Sequence, residues 1–174
     1  MLQLKKGDFF CTENPMALGK AIRFVEKFWA KDNDAGYSHS GIITDPDGTT
    51  LEALWRVKGN SLNAYVGQKM IIGRWNSMTI DSFWNGMTSI QDNIGRIYPL
   101  WRLAFFALNI EKHIATSNWA VCSELVCKFL IGAGFKEIGE WRGQDPEDVE
   151  DMVKNWKMTT QVFEGVWSPE LLST

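Results

Sequence analysis

Residues 36–55 read GYSHSGIITDPDGTTLEALW, and the way this stretch folds decides the architecture. Two runs of aliphatic and β-branched residues, about Ser38–Thr44 and Thr49–Leu54, flank DPDG at residues 45–48. Proline and glycine between such runs are a strong turn signal, so the stretch predicts an antiparallel hairpin. It carries His39, one of two histidines in the chain, near its start and Glu52 near its end. Opposed residues of an antiparallel pair share a constant sum of positions. A two- or four-residue loop gives a sum of 93, which sets Glu52 opposite Gly41 and makes it a diagonal neighbour of His39 on one face. A three-residue loop with a bulge at Gly48 gives 94 and turns Glu52 to the other face. DPDG suits either loop.

Outward from the hairpin, KKGDFFCT predicts a first strand after a turn at Gly7-Asp8, and NPMALGKAIRFVEKFWAK an amphipathic helix with Asn14 as cap and Pro15 in its first turn. Residues 56–68 read as a loop with a short helical turn, KMIIGRW as a third or fourth strand, and Ile80, Phe83, Trp84, Met87 and Ile94 as a helix near 79–94. The apolar run Tyr98–Ile110 reads as a further helix; with thirteen residues and Arg102 inside it, it is short of the about 20 apolar residues a membrane span needs. A helix over 119–133 ends at Gly134, DPEDVEDMVKNW is a helix capped by Asp145, and TTQVFEGVW is a last strand. Strands and helices do not alternate as βαβ units. The order predicts an α+β fold: an antiparallel sheet or small barrel packed against helices, in one domain over 1–174 with a helical, aromatic-rich insertion near 76–117.

The composition narrows the function. Of 174 residues, 45% are apolar and 22% charged, enough for a full core, and a net charge of −3 without a basic run argues against nucleic acid as partner. Nine tryptophans imply a large aromatic core or a groove for a sugar or peptide. MLQLKKGDFF has no apolar core of a leader peptide, so the expected location is cytoplasmic, or outside by phage delivery or another export route. Three cysteines, Cys11, Cys122 and Cys127, have neither CxxC nor zinc-finger spacing, so no disulfide framework, metal or cofactor is expected.

Cys122 stands apart from the other two thiols. In the helix 119–133 the apolar stripe is Cys122, Leu125, Val126, Phe129, Leu130 and Ala133, with Ser117 or Asn118 as candidate caps. Cys122 thus lies near the helix start, where free N–H groups favour a thiolate. Cys127 lies five residues deeper and Cys11 on a strand. A lone cysteine on an apolar stripe ordinarily packs as a small hydrophobe, and only a base within reach makes it a nucleophile. His39 is one candidate base. His113, nine residues before Cys122 in a polar stretch, is the other.

GD opening the first strand, SHSGII, LEA and the late CSELV helix together resemble the permuted branch of the papain-like NlpC-type cysteine hydrolases, which includes the YiiX-like proteins and, more distantly, the lecithin:retinol acyltransferase family. In that branch the cysteine-bearing helix comes last, as in the order His39, Glu52, Cys122 here. The resemblance implies Cys122 as nucleophile, His39 as general base and Glu52 as the residue that orients the imidazole. The Cys122 N–H and the Tyr37 hydroxyl would serve the oxyanion or the substrate. It implies a peptidase or amidase working through a thioester, with cell-wall peptides or related amides as substrate class. The alternatives are a thiol acyltransferase or lipase-like enzyme on acyl esters, with the run after Tyr98 as an acyl-binding flap, and a non-catalytic Trp-rich binding module. Residues 56–117 match no motif of that family.

Overall fold

The computed structural model describes residues 2–13, 36–97 and 120–172. The helix expected after Asn14, the apolar run 98–110, His113 and the candidate caps Ser117 and Asn118 lie outside the described residues.

The hairpin takes the 93 register. Strands β2 (His39–Ile43) and β3 (Thr49–Ala53) pair antiparallel with Gly41 opposite Glu52 and Ile43 opposite Thr50. Asp45–Gly48 form the four-residue loop. The Gly48 N–H donates to the Asp45 carbonyl, the Thr49 N–H to the Asp47 side chain at 2.8 Å, and Gly48 takes φ +88° without the penalty a Cβ would bring. Burial selects this register, because the alternative would exchange the residues on the two packed faces.

Around the hairpin, β1 (Phe9–Thr12), β4 (Val57–Ser61), β5 (Lys69–Trp75) and β6 (Thr159–Val166) complete one open antiparallel sheet in the order β4-β3-β2-β1-β5-β6. Neighbouring residues of a strand face opposite cores. Phe9, Cys11, Ile42, Leu51 and Ile71 join one cluster, and Phe10, Ile43, Met70 and Ile72 another. Both faces are covered, which is why FFC, GII and MII read as unbroken apolar runs. Each fully buried phenylalanine or isoleucine here stabilises the fold by about 1.5–3 kcal/mol.

Three helices, α1 (Ile80–Ile90), α2 (Cys122–Ala133) and α3 (Pro146–Asn155), belong with the first cluster. The opposite face is closed by the 3₁₀ turn Leu62–Tyr65, Trp167 and Leu4. All six residues of the expected α2 stripe are buried, and Gly134 at φ +111° ends the helix. Asp145 caps α3 by accepting from the Asp148 N–H at 2.9 Å, with Pro146 next. The α1 face differs from the sequence expectation: Phe83, Gly86 and Ile90 are buried, while Ile80 and Trp84 are exposed. Close approach decides this. A Cβ on Gly86 would lie 2.6 Å from the Phe129 ring, and one on Gly132 would lie 2.2 Å from Ser89 Oγ. Hydrophobicity alone does not reveal a contact built on small residues.

Two further expectations change. Val57–Ser61, read as loop, is edge strand β4, so KMIIGRW becomes the fifth strand. VKGNS has a glycine and no alternation, because an edge strand is held by ladder bonds to β3 more than by side-chain burial. The GD motif is a structural pin. The buried Asp8 carboxylate accepts from the Lys5 N–H at 2.8 Å and from Arg74 Nε and Nη2 at 2.7 and 2.8 Å, tying the start of β1 to β5.

Candidate active site

The helix α2 begins at Cys122 itself, later than the 119 expected, so the thiol belongs to the first residue of the helix. No side chain can cap from Val121; Glu124 does the work instead. Its carboxylate accepts from the Val121 N–H at 3.1 Å and from the Gly143 N–H at 2.7 Å, while Ser123 Oγ donates to the Gln144 carbonyl at 2.7 Å. The helix start is thereby fixed to the segment before α3.

β2 begins at His39, and the 93 register makes Glu52 its diagonal neighbour. His39 Nε2 and Glu52 Oε2 are 2.8 Å apart. Gly41 lies between the two positions on this face. A Cβ there would meet the Phe10 ring at 2.7 Å and Glu52 Cγ at 2.8 Å, so the glycine of SHSG leaves the room through which the glutamate leans. His39 also faces the Cys122 side chain, closely enough that each shifts the other's titration. Because Nε2 is turned to Glu52, the nitrogen available to sulfur is Nδ1.

Glu52, His39 and Cys122 are 0%, 2% and 3% exposed. Buried ionisable groups must be paired or neutral. Burial pushes the His39 imidazole down, but hydrogen bonds to Cys122 and Glu52, and their charges, outweigh it and hold it at about 10. Burial pushes the Cys122 thiol up, yet the hydrogen bond and charge of His39, with the Ser40 and Ser123 backbone N–H groups, bring it below its usual value. Glu52 is likewise lowered against its burial, by His39 first and then by Thr50 and Tyr65. The favoured state is thiolate, imidazolium and carboxylate in series.

Three groups at Glu52 escaped the sequence reading. The Thr50 hydroxyl donates to Oε1, the Tyr65 hydroxyl donates to Oε2, and Asn60 Nδ2 approaches Oε2 at 3.5 Å. Thr50 could have been found two positions before Glu52, on the same strand face. Tyr65 gives no local signal, because the Leu62–Tyr65 turn brings it back over the sheet. Tyr37 is buried, and burial followed by the charges of Glu164 and Glu150 pushes its hydroxyl up to about 12. Its strongest electrostatic neighbours are therefore on β6 and α3. Cys11 and Cys127 are buried thiols raised well above their usual value, and Cys11 Sγ lies 3.6 Å from the Pro146 carbonyl.

The geometry defines a class of site: a buried carboxylate–imidazole–thiol series at the start of a helix that packs on an antiparallel sheet. The fold is similar to that of the metalloprotein YiiX from Escherichia coli O157:H7, with a TM-score of 0.54 and 18% identity over 94% of this chain and 98% of that one. No family model and no curated protein matches the sequence. At this identity the likeness carries the fold, an α+β arrangement of YiiX-like type. The term metalloprotein belongs to that neighbour. Among the described residues of this chain, no group of three or more His, Cys, Asp or Glu side chains is arranged to hold a metal ion. No helix among the described residues is long and apolar enough to cross a membrane.

Proposed function

We propose that this protein is a papain-like cysteine hydrolase of the permuted NlpC type, cleaving an amide bond through a thioester on Cys122. One observation carries the reading: a single imidazole, held by Glu52 on Nε2, faces a cysteine at a helix start and lowers its thiol against burial. The Cys122 thiolate attacks the amide carbonyl carbon. The oxyanion that forms takes the Cys122 N–H, one of the free donors of the first helical turn. As the C–N bond breaks, His39 gives its proton to the leaving amine. Water then attacks the thioester carbon, His39 accepts its proton, and the acid leaves as sulfur recovers the thiolate. Glu52 keeps the ring in one tautomer and stabilises its charge throughout.

The resemblance noted from the sequence makes bacterial cell-wall peptides the first substrates to try, with cleavage read by mass spectrometry as the gain of one water. Cys122→Ala keeps the wild-type circular dichroism spectrum and loses turnover by at least about a thousandfold. Wild-type rates in that variant would make Cys122 structural. Parallel amide and ester substrates separate the amidase from an acyl-ester enzyme, which uses the same thioester with another acceptor.

A further inference from the structure

The Tyr65 hydroxyl donates to Glu52 Oε2, the same oxygen that faces His39 Nε2. The Tyr65 ring also lies against the imidazole, with centroids 5.8 Å apart and planes at 31°, while Phe10 meets the imidazole edge-on at 6.3 Å. Tyr65 is 3% exposed and is held in turn by its backbone: its carbonyl accepts from the Gln68 N–H at 3.0 Å. Its turn is capped by Ser61, whose hydroxyl accepts from the Asn63 N–H. A carboxylate has about four acceptor sites. Thr50 takes one on Oε1, while Tyr65, His39 and the longer Asn60 contact crowd Oε2, so the carboxylate is held from both oxygens. Lys58, opposite Glu52 in the ladder, is exposed, and among the described residues Cys122 is a further titratable group that faces this cluster.

We propose that Tyr65 is a positioning residue of this site, fixing both partners of the Glu52–His39 contact: its hydroxyl holds the carboxylate oxygen and its ring holds the imidazole plane. The proposal rests on the cysteine-hydrolase reading above. Without the hydroxyl, Glu52 Oε2 loses a donor in a place water does not reach, and the carboxylate can rotate away from Nε2. The ring then keeps its packing but loses the fixed partner of its Nε2–H. A hydroxyl that served stability alone would change the melting temperature and leave the proton on Nε2 where it was.

The test uses the whole chain and two readouts that need no substrate: the rate of Cys122 alkylation by iodoacetamide at mildly acidic pH, and the exchange-protected Nε2–H proton signal of His39 by NMR. Tyr65→Phe is expected to slow alkylation about tenfold, the equivalent of one hydrogen bond to a charged group, and to broaden or lose the Nε2–H signal. Asn60→Ala, at a half-buried position, is expected to act in the same direction and less. Rapid alkylation in the wild type with both variants unchanged, beside a slowed Glu52→Gln, overturns the role of Tyr65 and leaves the hydrolase reading standing. A wild-type Cys122 no more reactive than an ordinary thiol overturns both.

Discussion

Cys122 and Cys127 lie five residues apart on one helix and are equally hidden, at 3% and 0% exposure. Burial pushes both thiols up. At Cys127 the charges of Asp148, Glu124 and Asp145 push the same way, and the thiol stays protonated far above its usual range. At Cys122 an imidazole and two backbone N–H groups oppose burial and prevail. Depth in the core is common to both and decides nothing. The difference is that Cys122, the first residue of α2, meets His39 at the start of β2, while Cys127 has carboxylates and no imidazole among its strongest electrostatic neighbours.

Removing His39 should erase that difference. In a Cys11→Ala, Cys127→Ala background, His39→Ala is expected to move the Cys122 thiolate transition, followed by ultraviolet absorbance, from below the free cysteine value of about 8.5 to above it, with turnover lost by about a thousandfold or more. A transition that stays low would mean that the helix start alone activates sulfur. The intact pair should give a bell-shaped rate profile whose acid limb belongs to the lowered Cys122 and whose alkaline limb falls near the imidazole value of about 10. Raised in the fold, His39 stabilises it fully below the unfolded value of about 6.5, and this contribution fades as pH climbs through about 10. Melting temperatures across that interval measure it.

Glu52→Gln retains the shape and removes the charge, so turnover should fall by about a hundredfold, less than for His39→Ala. An unchanged rate would reduce Glu52 to a packing residue. Gly41→Ala adds one methyl where Phe10 and Glu52 already lean in. It should cost about 1–3 kcal/mol in chemical denaturation and about tenfold in rate by displacing the carboxylate; a loss of stability with full activity would show that Glu52 tolerates movement. Cys127→Ala is the smallest change, about 1 kcal/mol in stability with turnover and the Cys122 titration unaltered. Any loss of rate there would break the contrast between the two turns.

The sequence by itself determined the apolar stripe of α2 and its stop at Gly134, the Asp145-Pro146 start of α3, the hairpin around DPDG and the singling out of Cys122 among three thiols. These are local matters: helical spacing, cap chemistry and turn residues act within a few positions, and each is written in consecutive residues. Tertiary structure alone decided whether Glu52 meets His39, because a loop of three residues and one of four are both open to DPDG, and only the packing of Ile42 and Leu51 on one face and Ile43 on the other chooses between them. It also decided that Val57–Ser61 is an edge strand, that Gly86 and Gly132 and not Trp84 make the α1–α2 contact, and that Glu124 caps its own helix while holding Gly143. Tyr65 shows the same limit most sharply. Thirteen residues separate it from Glu52, and no periodicity links them; they meet because a capped turn folds back across the sheet and leaves one hydroxyl with one carboxylate to satisfy.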